Sequence, residues 1–374
     1  MFSGSSLIGV MLPAFLAFVI SAVAGHFVIP ILRSLKAEQT EREEGPASHK
    51  KKSGTPNMGG VIFIGAFLII CIIWAFRNPE VIPVAILTVG FGAVGFIDDF
   101  IKVQKKRNLG LRAWQKIVLQ LLIAISYAAY IINVHGTSLS MKVPFAAGKY
   151  VDFGAMNIPF LLFVALAVVN ATNLTDGIDG LASGLSMVAL SVFGTLAVID
   201  DRWMSALLAF TTVGVLLPFF FYNVFGNADR GRKIFMGDTG SLTLGYILSF
   251  LAVQYTMNTY EAGINYEGAI LISFSVLLVP CLDVVRVVLG RVRRGKDPFM
   301  PDKTHIHHKF LAMGFTPRKA MISILCISFL FCASNVFLVS YLNNTVLFLC
   351  DVAVWTLMNL YISKLISRRN ISQI

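Results

Sequence analysis

Long apolar runs recur along the chain, each broken by a short linker rich in polar residues, glycine or charge. The runs lie near 7–31, 59–76, 81–101, 115–133, 158–173, 181–199, 204–225, 241–257, 267–289, 320–341 and 345–366. Most approach the roughly 20 residues a helix needs to cross the hydrocarbon core. A backbone in lipid must satisfy its own hydrogen bonds, which leaves helices or a closed barrel, and these runs lack the alternation of barrel strands. The pattern predicts an all-α polytopic integral membrane protein of about eleven transmembrane helices. No repeat of fixed period and no low-complexity tract appears, so residues 1–374 read as a single integral-membrane domain. Over roughly 134–157 the valine, glycine and phenylalanine spacing predicts a small hairpin.

Composition agrees with this class: the chain is 56% hydrophobic, with a mean hydropathy of +0.75. The opening MFSGSSLIGVMLPAFLAFVI has no basic leader and no small-residue cleavage site, so it reads as the first spanning helix. Five scattered cysteines (Cys71, Cys281, Cys326, Cys332 and Cys350) show no paired spacing and read as small hydrophobes.

Charge then orients the helices. All but four of the 31 Lys and Arg fall around 33–58, 102–116, 226–240 and 286–319 or in the C-terminal tail, the exceptions being Arg77, Lys142, Lys149 and Arg202. The positive-inside rule places the N-terminus outside and the C-terminus in the cytoplasm. The net charge of +11 is thereby a topology signal and calls for no nucleic acid. Anionic headgroups or anionic substrates at the inner surface are its natural partners.

Residues with chemical potential crowd the same ends of the spans. GFIDDFIK carries Asp98, Asp99 and Lys102, NATNLTDGIDGLASG carries Asn173, Asp176 and Asp179, and FMGDTGSLTLG carries Asp238. DPFMPDKTHIHHKF carries His305, His307 and His308. Mg²⁺ takes oxygen ligands, commonly one or two carboxylates plus substrate phosphates. Asp176 and Asp179, three apart, share a face if their segment is helical. Glycines bracketing Asp238 before an apolar run suit an anion near a helix N-terminus, and nearby lysines and imidazoles suit phosphate oxygens. Together the set reads as Mg²⁺-assisted phosphoryl-group chemistry at the inner membrane surface.

Each piece alone also has an ordinary explanation. Asp98 and Asp99 sit where charge is cheap, Asp176 and Asp179 suit a turn, and Asp238 suits an N-cap. Asp283 and Arg286, three apart in a span, read as a mutual ion pair. The histidines suggest zinc, but no cysteine pair accompanies them, and in an extended stretch His308 would face away from His305 and His307. Imidazoles that donate to a diphosphate fit better beside the carboxylates.

In order and spacing these four motifs resemble those of the polyprenyl-phosphate N-acetylhexosamine-1-phosphate transferases, from about residue 50 to 315. The resemblance implies transfer of a sugar phosphate from a UDP-N-acetylhexosamine to a polyprenyl (undecaprenyl) phosphate, with release of UMP and dependence on Mg²⁺, for which Mn²⁺ can substitute. It implies a multi-pass enzyme of the bacterial inner (plasma) membrane with its active site on the cytoplasmic face, and it admits a homodimer. By motif, Asp98 and Asp99 match the paired aspartates that bind or activate the lipid phosphate, and Asp238 matches the magnesium ligand. Asn173, Asp176 and Asp179 match the nucleotide- and metal-site loop, with Asp176 a second metal ligand. His305, His307 and His308 match the histidine motif near the diphosphate, and Lys52, Lys102 and Lys116 match basic positions of the active-site face. Direct displacement with Asp98 as base is expected, with a covalent aspartyl-phosphate route as the alternative.

For the sugar, KSGTPNMGG and NLTDG look like the muramoyl-pentapeptide branch, whereas PDKTHIHHKF is similar to the GlcNAc-1-phosphate (WecA/TagO-like) branch. The expectation is therefore GlcNAc-1-phosphate transfer from UDP-GlcNAc, the first membrane step of a lipopolysaccharide or teichoic acid type of pathway. The alternative is phospho-N-acetylmuramoyl-pentapeptide transfer in peptidoglycan synthesis. A transporter or flippase of a lipid-linked or anionic solute is the rival of a different class, disfavoured because the ionisable groups sit at span ends and not at the midplane.

Overall fold

The computed structural model describes residues 7–35, 55–105, 110–135, 140–146, 150–261, 268–298, 300 and 302–371. The elements run α1 (Leu7–Ser34), α2 (Gly60–Ala75), α3 (Val81–Gln104), α4 (Ala113–His135), β1 (Ser140–Lys142), β2 (Tyr150–Asp152), α5 (Asn157–Thr175) and α6 (Leu181–Ile199). They continue through α7 (Trp203–Val224), α8 (Gly237–Glu261), α9 (Ala269–Arg293), α10 (Ile306–Ala312), α11 (Pro317–Leu338) and α12 (Asn344–Ile371). Every predicted hydrophobic run is a helix, and the predicted hairpin is the antiparallel β1–β2 pair, with Met141 opposite Val151.

Among the described residues, nine helices are long and apolar enough to cross a membrane. Of the eleven predicted spans, α2 is only 16 residues long and α8 is not among the nine. The reason for α8 lies in its place. It packs on α2, α3, α5, α6 and α9, and residues 239–255 are buried without a break. A helix wrapped by protein has no face that must be lipid-like, so it tolerates Thr239, Ser241, Thr243, Ser249 and Gln254 along its length. By contrast α1 turns Phe15, Val19, Val23 and Phe27 outward, as a lipid-facing helix should.

Small residues let α8 approach its neighbours. A Cβ on Gly60 would overlap the backbone nitrogen of Gly240, and one on Gly95 would overlap the carbonyl oxygen of Asp238. Midway along α8, Tyr246 stacks on Phe91 of α3 at 5.0 Å and meets Tyr127 of α4 edge-on at 5.6 Å. These contacts fix the position of α8 relative to α3, and so of the N-terminal turn of α8 relative to the last turns of α3.

Candidate active site

Asp98, Asp99 and Lys102 occupy the C-terminal end of α3, where i, i+3 and i+4 spacing turns them toward one another. The N-terminal turn of α8 lies against them. Gly237 adopts φ +73, and a side chain there would run into Asp99 and Asn57. The next residue, Asp238, brings its carboxylate to the other two, so that one oxygen each of Asp98, Asp99 and Asp238 lie within 4.8 Å of one another.

Two lysines hold this acidic group together. Lys102 Nζ lies 2.6 Å from Asp98 Oδ2, 2.9 Å from Asp238 Oδ2 and 3.6 Å from Asp99 Oδ1. Lys116, from the first turn of α4, lies 2.7 Å from Asp238 Oδ2 and 3.9 Å from Asp98 Oδ2. Three carboxyl groups thus share two ammonium groups in a largely buried place. Asn173, near the end of α5, donates to Asp238 Oδ1 at 2.7 Å and to Ser241 Oγ at 2.8 Å.

The paired aspartates are not equivalent. Asp99 Oδ2 accepts from the Thr239 N–H (2.9 Å) and the Thr239 hydroxyl (2.8 Å), and Asp99 Oδ1 accepts from Asn57 Nδ2 at 3.3 Å. Asp99 thus caps α8 from a neighbouring helix, where an anion suits the unpaired N–H groups and the dipole. Asp238 itself caps nothing and turns to the lysines and Asn173. Asp98 accepts from the Leu111 N–H through Oδ1 at 2.7 Å and turns Oδ2 to Lys102 and Lys116.

The α5–α6 connection leads to a second group of residues. It is a turn, not a helix, with Asp176 at φ −75, ψ 49, so Asp176 and Asp179 do not share a helical face. Asp176 is not part of the group of converging carboxylates that Asp98, Asp99 and Asp238 form. Asp179 pairs with Lys233 at 2.8 Å. A Cβ on Gly177 would overlap Nε2 of His307, so the turn packs directly on the histidine motif.

That motif is helical, not extended: His305 is the N-cap of α10, and His307 and His308 lie in its first turn. His305 and His307 have nearly parallel rings 5.9 Å apart, and His308 lies 4.2 Å from His307. Burial, and then the neighbouring imidazoles, push His307 down to about 3, so it packs as a neutral ring. Burial followed by the charges of His305 and Lys303 lowers His308 as well. The Lys309 ammonium, lowered to about 8 by burial and then by Arg286, bonds Ser363 Oγ at 3.0 Å and so fastens α10 to α12.

The flanking PDKT serves the loop's own architecture. Asp302 receives a two-pronged bond from Arg291 at 3.0 and 3.1 Å, and the Thr304 N–H and hydroxyl also donate to it. Burial pushes the Asp302 carboxyl up, but these bonds from Arg291 and Thr304 outweigh it and hold the group well below the usual carboxylate range. Lys52 lies outside the described residues. Sequence reading missed Asn57, Thr239 and Ser241. It saw Asp283 and Arg286 only as a pair, and they do pair at 2.6 Å, but Asp283 also meets His305 at 2.8 Å.

Comparison with known proteins now bears on this geometry. The model of glycosyl transferase family 4 matches residues 81–256, which hold Asp98, Asp99, Lys102, Lys116, Asn173 and Asp238. A protein of Halalkalibacterium halodurans named phospho-N-acetylmuramoyl-pentapeptide-transferase is 34% identical over 332 residues, 88% of this chain and 97% of its own. The chain belongs to glycosyl transferase family 4. Within it, proteins of the same name from Listeria monocytogenes (37% identical, 82% of this chain and 91% of its own) and Desulforamulus reducens (38%, 86% and 93%) are also similar. This family member is a multi-pass bacterial membrane protein and a polyprenyl-phosphate phospho-sugar transferase.

These relatives correct the expectation of GlcNAc-1-phosphate transfer, because similarity over most of the chain runs to muramoyl-pentapeptide transferases. The structure supplies a reason why the PDKT flank misled. Asp302 bonds to both Thr304 and Arg291, so that stretch builds a loop and is poor evidence about a sugar.

Proposed function

We propose that this chain transfers phospho-N-acetylmuramoyl-pentapeptide from its UDP carrier to a polyprenyl phosphate, releasing UMP, at the cytoplasmic face of the bacterial inner membrane. The observation that carries the reading is the convergence of Asp98, Asp99 and Asp238 under Lys102, Lys116 and Asn173, in a chain whose relatives bear that transferase's name. The ends of α3 and α9 and the starts of α4 and α8 adjoin the strongly basic linkers, which supports the cytoplasmic placement.

In the reaction an oxygen of the lipid phosphate attacks the β-phosphorus of the UDP-sugar. The bond from that phosphorus to the bridging oxygen breaks, and UMP leaves with the electron pair. Asp98, whose Oδ2 faces the lysines, is placed to take the remaining proton of the lipid phosphate. Lys102 and Lys116 would exchange their carboxylate partners for phosphate oxygens and spread the charge of the transition state. Asn173 holds Asp238 in orientation.

The donor set fits a hard divalent cation: three carboxylate oxygens within 4.8 Å of one another, with no sulfur or imidazole among them. Asp98, Asp99 and Asp238 would hold Mg²⁺, or Mn²⁺ in its place. When bound, the ion supplies neutralisation of the diphosphate and of the departing UMP.

Purified protein given UDP-N-acetylmuramoyl-pentapeptide, polyprenyl phosphate and Mg²⁺ should release UMP and form a diphosphate-linked lipid. Omitting the lipid phosphate should stop the release. UMP release without lipid, or solute uptake into proteoliposomes without UMP release, would contradict the proposal.

A further inference from the structure

Gln120 lies on α4, one helical turn beyond Lys116, and is fully buried. Asn170 lies on α5, one turn before Asn173. Because α4 starts at the carboxylate group and α5 ends there, both residues sit one turn deeper in the bundle than the lysine and asparagine that touch Asp238. At that depth Asn170 Nδ2 donates to Gln120 Oε1 at 2.7 Å, joining the two helices. The same nitrogen donates to the Leu166 carbonyl of its own helix at 2.8 Å.

The bond bears on the geometry one turn above it. Lys116 donates to Oδ2 of Asp238 and Asn173 to Oδ1, each at 2.7 Å. Those two donors come from α4 and α5, so the spacing of the helices decides whether both reach the carboxylate at once. Asn170 spends one amide hydrogen on α5 itself and one on α4, which holds its side chain in one orientation. Gln120 then offers it only an oxygen. The Nε2 of Gln120 is buried with no partner among the described residues, a cost that an apolar side chain would not incur. Hydrogen bonds between helices in lipid are individually weak, so this amide contributes position more than stability.

We infer that Gln120 and Asn170 are a positioning pair of the transfer reaction: their bond sets the α4–α5 spacing at which Lys116 and Asn173 hold the two oxygens of Asp238. This rests on the proposed reaction. The pair acts through the residues one turn above it and not by contact with the reacting phosphates. Loosening it lets the Asp238 carboxylate turn away from Asp98 and Asp99, which weakens the group's hold on a divalent cation.

The test has two arms on the full-length purified protein. In the first, UMP release by Gln120→Leu should lose about 10- to 100-fold in kcat, with KM for the UDP-sugar within about twofold. Its melting temperature should stay within about 3 °C of the wild type. In the second, read without substrate, the Mg²⁺ concentration that gives half of the full rise in melting temperature should increase at least about tenfold in Gln120→Leu. Exchanging the two amides, Gln120→Asn with Asn170→Gln, keeps their combined reach and should recover most of both losses. Asn170→Leu added to Gln120→Leu should cost no further activity. A wild-type kcat or an unchanged Mg²⁺ midpoint in Gln120→Leu, an exchange variant no better than Gln120→Leu, or fully additive losses would overturn the inference. If the protein transfers no sugar phosphate at all, the proposed reaction fails, while the Mg²⁺ midpoint still decides whether the pair positions Asp238.

Discussion

Lys102 Nζ stands 2.9 Å from Asp238 Oδ2 and 2.6 Å from Asp98 Oδ2, bridging the end of one helix to the start of another that lies more than a hundred residues away. The lysine occupies the region where a cation between these carboxylates would be expected. Replacing it with methionine leaves mutually repelling carboxylates, and removing one partner of a buried charge group costs about 3–5 kcal/mol. Lys102→Met should therefore unfold at a markedly lower temperature in detergent. Added Mg²⁺ should raise its melting temperature more than that of the wild type. Equal Mg²⁺ shifts in both proteins would contradict a metal site among Asp98, Asp99 and Asp238.

Asp238 faces the lysines and Asn173 and caps no helix, so its loss should affect chemistry more than folding. Asp238→Asn is expected to lower UMP release by at least about 100-fold at saturating Mg²⁺, with an unchanged gel-filtration profile. Near-normal turnover would remove the proposed metal-ligand role. Chelation of divalent ions should likewise abolish wild-type activity, with Mg²⁺ or Mn²⁺ restoring it.

Loss of either adjacent aspartate should lower activity, but the two should differ in their effect on stability. Asp99 binds Thr239 and Asn57 and caps α8, so Asp99→Ala strands buried donors and should cost about 1–3 kcal/mol of stability. Asp98→Asn should retain stability and lose activity. Thermal melts and UMP release measured on both variants check this, and a reversed pattern would contradict the assignment.

Gly95 tests the spacing of helices without touching a reactive side chain. A methyl group there would overlap the Asp238 carbonyl, forcing α3 and α8 apart at the site. Gly95→Ala should lower activity at least about tenfold while costing about 1–3 kcal/mol of stability. Full activity in this variant would show that the separation of Asp98 from Asp238 is not critical.

His307 predicts an acid sensitivity of its own. In the folded chain it is lowered to about 3, chiefly by burial, against an unfolded value near 6.5. Between these values the unfolded chain binds a proton that the folded one refuses, so stability falls as pH drops from about 6.5 toward 3, by at most about 1.4 kcal/mol per unit. His307→Gln should flatten the melting temperature over that range. An unaltered slope would mean that other groups carry the acid sensitivity.

Much of this architecture is legible in the residues themselves. Apolar length marks the helices, and the aspartates gathered at span ends mark the place where α3, α5 and α8 meet. What pattern cannot show is who faces whom. Asp238 resembles an N-cap, but the cap of α8 is Asp99, from another helix. Asp176 and Asp179 would share a face if their segment were helical, but the chain turns there and neither is part of the converging carboxylate group. Asp283 looks like half of a local ion pair, because its bond to His305 spans 22 residues. The histidine flank pointed to the wrong sugar: its Asp302 bonds Arg291 and Thr304 and shapes the loop.

The central claim concerns what the converging carboxylates and lysines act on. The most direct measurement offers UDP-N-acetylmuramoyl-pentapeptide and UDP-GlcNAc separately to the purified protein with polyprenyl phosphate and Mg²⁺, and follows UMP release. The pentapeptide donor should give a kcat/KM at least about tenfold higher. Turnover of UDP-GlcNAc with no release from the pentapeptide donor would contradict it.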